Sequence, residues 1–204
     1  MLSVDGYSDP PRISDLSFEV NSGELVLLLG GPGSGKSRFM DVLAGLRRGC
    51  GESVEIGGLS PADTAARQRC SYVFQGDNFD GTRSVAKQLG RALLAYGGSA
   101  RSVAPEISEW ALRWEIGDIE RPGRELDLAS LQAASLGLGL LPDTDLVVMD
   151  EPARNLDPER TLILLEALRD RGRRAVLALV SPPTPLAEVA DRIVFIGGEG
   201  DDEV

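Results

Sequence analysis

The chain has 204 residues and a formal net charge of -11, from 32 acidic against 21 basic side chains, so its surface repels polyanions and disfavours both a broad nucleic-acid footprint and contact with anionic lipid. It has no histidine and two cysteines, Cys50 and Cys70. That removes histidine-based triads and histidine-ligated metals and leaves too few thiols for a zinc site or a disulfide framework; both cysteines read as reduced structural thiols. The composition, 42% hydrophobic and 26% charged, is that of a soluble globular protein of one domain, with no apolar run near the ~18 residues of a membrane span and no signal-peptide pattern after Met1.

In chain order, Ile13 to Val20 reads as a strand. Leu25 to Leu29 is a wholly apolar run ending in Gly30 and Gly31, which suits a strand buried on both faces of a parallel sheet. A helix is expected from about Gly35 to Leu46, and Ser53 to Ile56 reads, like Ile13 to Val20, as a strand of a smaller antiparallel sheet. From Gly81 to Leu141 the period becomes helical: Val85, Leu89, Leu93 and Leu94, then Ile107, Trp110, Ala111 and Trp114, broken at Gly97-Gly98 and Pro122-Gly123. The two tryptophans read as packing anchors. Leu146 to Met149, Ala175 to Val180 and Ile193 to Ile196 are each consistent with a central strand, and Leu162, Leu165 and Leu168 with a helix between the first two, so the class is α/β. The tail from Gly197 to Val204 carries four carboxylate side chains and is expected to be solvated and mobile.

Gly30, Gly31, Pro32, Gly33, Ser34, Gly35, Lys36 and Ser37 spell G-x-x-x-x-G-K-[ST], between a buried strand and a helix. Glycines allow the backbone to turn round a phosphate with its amides pointing inward, and the helix start adds the positive end of its dipole. Lys36 would reach the β- and γ-phosphates of ATP, and the Ser37 hydroxyl would ligate Mg2+. Arg38 follows where a second hydroxyl residue is common, either touching the α-phosphate or lying in solvent. Leu146-Val-Val-Met-Asp-Glu-Pro152 is an apolar strand ending in two carboxylates. Strands of open α/β sheets deliver ligand groups from their carboxyl ends, so Asp150 would hold the magnesium and Glu151 would orient or deprotonate water.

These motifs resemble the nucleotide-binding domain of ABC transporters over nearly the whole chain. Asp150-Glu-Pro-Ala-Arg-Asn-Leu-Asp157 is similar to that family's Walker B, catalytic glutamate and the following loop. Tyr72-Val-Phe-Gln75 is similar to its Q-loop, which implies that Gln75 contacts magnesium and the attacking water and senses a membrane subunit. Tyr7 resembles the aromatic that stacks on adenine, and Ala190-Asp-Arg-Ile193 matches the segment before the last strand. The resemblance implies a P-loop NTPase fold in one domain: a RecA-like parallel-sheet core at about 1–80 and 142–198 with a small antiparallel β subdomain, a helical subdomain at about 81–141, and an acidic tail at 199–204.

Two departures stand out. The family's Leu-Ser-Gly-Gly-Gln signature falls on Leu126-Asp-Leu-Ala-Ser130. Asp127 therefore replaces the serine that closes on the γ-phosphate of a partner subunit; two unit charges ~4 Å apart at an effective dielectric of ~20 repel by about 4 kcal/mol. Asp127 also suits an N-cap. The register of Asp191 puts Ser181 where the family has its switch histidine, and loss of such a donor costs on the order of 10²–10³ in rate; Pro182, Pro183 and Pro185 stiffen that loop. The resemblance thus implies an ATPase subunit of a transporter, weak or partner-dependent, joined to an integral-membrane permease and a second ABC ATPase in a heterodimer, and peripheral on the cytoplasmic face through that permease. A regulatory subunit that holds ATP with little hydrolysis, and a soluble P-loop ATPase or kinase of another family, are the alternatives.

Overall fold

In a computed structural model, residues 1–47, 54–76 and 78–197 are described; Cys50, the expected strand's first residue Ser53 and the tail beyond Gly197 lie outside them. The elements run β1 (Leu2–Asp9), β2 (Ile13–Val20), β3 (Leu25–Leu29), α1 (Lys36–Leu43), β4 (Val54–Ile56), α2 (Thr64–Gln68), β5 (Cys70–Val73), α3 (Val85–Ala95), α4 (Val103–Arg113), α5 (Leu128–Leu140), β6 (Leu146–Asp150), α6 (Pro158–Arg169), β7 (Ala175–Val180) and β8 (Arg192–Phe195).

The strands without a polar face form the middle of a parallel sheet in the order β5-β6-β7-β3-β8. Alternate residues of each strand point to opposite faces, and two cores result. Leu25, Leu27, Val147, Met149, Val176 and Ala178 pack with Leu89, Trp110, Leu136 and Leu164 from the helices of one layer. Val26, Leu28, Leu146, Val148, Leu177 and Leu179 pack on the other side with Phe39 and Leu43 of α1 and with Leu2, Val4, Phe18 and Val54 of an antiparallel sheet ordered β2-β1-β4. The expected strands at 13–20 and 53–56 lie in that second sheet without touching: β1, which the sequence did not announce, pairs with both.

Helix α1 stops short of Leu46 for a local reason. Gly45 takes φ +67°, its amide bonds to the Val42 carbonyl, and the Leu46 amide reaches back to that of Asp41, the paired bonds that close a helix on a left-handed residue. Strand β8 corrects another expectation. It is an edge strand, not a central one: it pairs with β3 and exposes Ile193 (41%) and Phe195 (73%). Leu162 is likewise exposed, and the buried face of α6 is made by Leu164, Leu165 and Leu168. Trp110 and Trp114 are buried and stacked, ring centroids 4.9 Å apart, and the Trp110 indole donates to the Ala133 carbonyl at 3.0 Å, fastening α4 to α5.

Helix α5 approaches the sheet so closely that a Cβ at Gly139 would meet Val73 Cγ2 at 2.7 Å and Val147 Cγ1 at 3.1 Å. Alanine raises helix propensity by ~1 kcal/mol, but overpacking two buried, branched neighbours costs about 1–3 kcal/mol. Gly139→Ala is therefore expected to lower the urea midpoint at unchanged slope; a raised midpoint would show that the gap can open at no cost.

Candidate active site

The order of the sheet brings the ends of β3 and β6 to the same rim on either side of β7. The loop from Gly30 to Gly35 leaves β3 there and turns into α1. Gly35 holds φ +102°, and a side chain on it would strike Ile13 and Arg12, so only glycine fits between this turn and the β1–β2 loop. Helix α1 has no side-chain cap, which leaves its first amides free for an anion. The buried Lys36 ammonium donates to the carbonyls of Gly30 and, at 3.1 Å, Gly31.

Ser37 Oγ donates to Asp150 Oδ2 at 2.9 Å. Asp150 is buried, and its other oxygen, Oδ1, has no hydrogen-bond partner among the described residues. Burial raises its carboxyl pKa above the ordinary value, opposed in part by the Ser37 hydrogen bond. Glu151 has left-handed backbone, φ +50°, an uncommon conformation for a residue with a Cβ. Its amide donates to Leu179 O, and its carboxylate accepts from Ser181 Oγ at 2.5 Å. Lys36, Ser37, Gln75, Glu151 and Ser181 line one cavity of about 630 Å³ with the loop from Pro32 to Gly35. A second, of about 390 Å³, adjoins it and runs past Gln75, Asp150 and Glu151 to Leu128 at the start of α5.

Two expected residues are placed otherwise. Tyr7 is wholly buried in the antiparallel layer, its ring 5.0 Å from that of Phe39, so it has no free face for a purine; the side chains lining the main cavity include no aromatic. Arg38 is neither free in solvent nor free for a phosphate. Its guanidinium grips the Asp9 carboxylate at two points, Nε to Oδ2 at 2.5 Å and Nη2 to Oδ1 at 2.8 Å, and this bond holds the Asp9 carboxyl below its ordinary pKa. Two residues that sequence reasoning passed over, Arg12 and Arg154, line the main cavity. Arg154 lay inside a motif already singled out; no periodicity marks Arg12, which reaches the site only because the β1–β2 turn folds over Gly35.

Asp127 caps α5, accepting from the Ser130 amide at 2.8 Å and the Ser130 hydroxyl at 2.7 Å. These bonds lower its pKa. Leu128 beside it is 68% exposed. A carboxyl with its pKa lowered by the fold contributes stability that is complete above ~3.8 and is lost as pH falls through the folded-state value. Asp127→Ala is thus expected to cost about 1 kcal/mol at pH 7 in urea unfolding, with the difference from the parent shrinking in more acid solution; a difference constant with pH would mean that the carboxylate charge plays no part.

The ABC transporter family matches residues 13–154. The sn-glycerol-3-phosphate import ATP-binding protein UgpC 1 of Rhizobium johnstonii is 27% identical over 94% of this chain, and the chain spans about half, 53%, of that relative's length. The probable anion import ATP-binding protein of Haloferax volcanii is 30% identical over 95% of this chain and 75% of its own. A solved ATP-binding subunit of an ABC transporter superposes with a TM-score of 0.82 at 23% identity, covering 96% of this chain and 85% of its own. With its P-loop, its RecA-like parallel core and its small antiparallel sheet, the chain belongs to the ABC transporter family.

Proposed function

We propose that this chain binds Mg-ATP in the 630 Å³ cavity and hydrolyses it as one half of a composite site, coupling turnover to an integral-membrane permease on the cytoplasmic face. The observation that carries the reading is the joint presence, at one rim of the sheet, of an uncapped helix start with Lys36, the Ser37–Asp150 pair and the Glu151–Ser181 pair. In this reading Lys36 and the amides of Gly33, Gly35, Lys36 and Ser37 hold the β- and γ-phosphates, and Glu151 with Gln75 orients the attacking water. A Mg2+ ion fits the remaining groups, Ser37, Asp150 and Gln75: hard oxygen donors suit it, and Asp150 Oδ1 is buried without a hydrogen-bond partner among the described residues. When bound, the ion offsets the charge of the outer phosphates. With Tyr7 in the core, the base would be covered by Arg12, whose guanidinium can stack on a purine.

The half of the site that this chain would lend to another subunit is altered. A carboxylate and an exposed leucine stand at Asp127 and Leu128, where a γ-phosphate would have to approach an open helix start. This favours pairing with a different ATPase subunit over self-pairing, within a single ABC-type domain whose helical part covers about 81–141. No described helix is long and apolar enough to cross a membrane, so attachment is assigned to the permease. The second reading, a regulatory subunit that holds ATP without turnover, draws on the same altered signature and on Ser181 in the place of a histidine.

Lys36→Ala is expected to weaken nucleotide binding at least about tenfold in calorimetric titration, since a buried charge-assisted contact is lost. Glu151→Gln is expected to keep binding and to lower turnover on the order of 10²–10⁴-fold in the presence of the copurifying partner. Turnover unchanged by Glu151→Gln would exclude hydrolysis at this site and favour the regulatory reading.

A further inference from the structure

Arg154 has no part in the roles assigned above, yet it lines both cavities, the main one with Lys36, Glu151 and Ser181 and the adjoining one with Asp150 and Gln75. It follows the end of β6 in the chain, whereas Arg12 lies in the β1–β2 turn. Its backbone is held. The Arg154 amide donates to Glu151 O at 3.0 Å, the Pro152 carbonyl accepts from Gln132 Nε2 at 3.0 Å, and the flanking Glu151 and Asn155 both take left-handed conformations, φ +50° and +65°. A turn fixed this way gives its one long side chain a defined origin.

Among the described residues the guanidinium itself is unengaged. Arg38 grips Asp9, and Arg160 binds Asp157 and the carbonyls of Trp114 and Glu115, whereas the Arg154 side chain has no hydrogen bond or ion pair among the described residues. Charge at this end of the cavity is also unbalanced. Glu151 lines the main cavity and Asp150 the adjoining one, so a terminal phosphate would arrive beside two carboxylates, with Lys36 and a magnesium ion taken up by Asp150 as the positive charges already assigned. The Ser181 hydroxyl, already given to Glu151, is no free donor for a phosphoryl oxygen. An arginine fork matches two phosphate oxygens at once.

We propose that Arg154 is a second cation for the terminal phosphate of bound ATP, supplied by the same chain, so that the pocket prefers a triphosphate to a diphosphate. The proposal rests on the nucleotide-binding reading above and adds to it the group that reads phosphate number. The test is calorimetric titration of the parent, Arg154→Ala and Arg154→Lys with Mg2+ and either a non-hydrolysable ATP analogue or ADP, each protein first checked for an unchanged unfolding temperature. The expected result is that Arg154→Ala weakens the triphosphate about tenfold and ADP less than twofold, and that Arg154→Lys recovers part of the loss. Equal losses for both nucleotides, or none, would overturn the proposal while leaving nucleotide binding intact. Failure of the parent to bind either nucleotide would instead remove the nucleotide reading, and the proposal with it.

Discussion

The hydrogen bond between Ser37 and Asp150 joins residues 113 positions apart, and the rest of the site is arranged round it. It can form only because β7 lies between β3 and β6, so that the first turn of α1 and the end of β6 reach the same rim. That spacing comes from the two-sided apolar strands, whose alternate residues build one core with the helices and another with the antiparallel sheet. Burial of the Asp150 carboxylate works against folding, because an ionised group loses hydration there. Its raised pKa is the sign of that opposition. A site that tolerates such a group is arranged for charge brought from outside.

Helix starts carry the same logic. Helix α1 begins without a side-chain cap and points its amides into the main cavity, whereas α5 and α6 begin on the carboxylates of Asp127 and Asp157. An aspartate at a helix start satisfies the free amides and answers the positive end of the dipole, which stabilises the helix and withdraws it as a place for another anion. Of these three starts, that of α1 is open to phosphate and those of α5 and α6 are closed from within.

Much of this was legible in the sequence, since unbroken apolar runs such as Leu25 to Leu29 and Ala175 to Val180 admit few structures other than a buried strand. The phosphate loop, Asp150 and Glu151 were legible because each is tied to a strand end. What failed depended on neighbours. The run at Ile193 looked like its central counterparts, but whether a strand has one partner or two is not written in its own residues. Strand β1 was hidden because its alternation is interrupted, with register shifts on either side of Tyr7. The same irregularity turns Tyr7 into the core. Arg12 and Arg154 gained meaning only when the fold set them both at the wall of one cavity.

The two-point grip of Arg38 on Asp9 joins the end of β1, where the β1–β2 turn begins, to the second residue after the phosphate-loop lysine. The two segments share one core, where Tyr7 packs on Phe39, and the ion pair adds a directional bond at its edge. Tied together, they fix Arg12 relative to the start of α1 before any ligand arrives. Part of the ordering that a loose loop would undergo on binding is then completed during folding, and such preorganisation raises affinity without a new contact to the ligand. The cavity wall owes its shape to an arginine whose own charge is already spent.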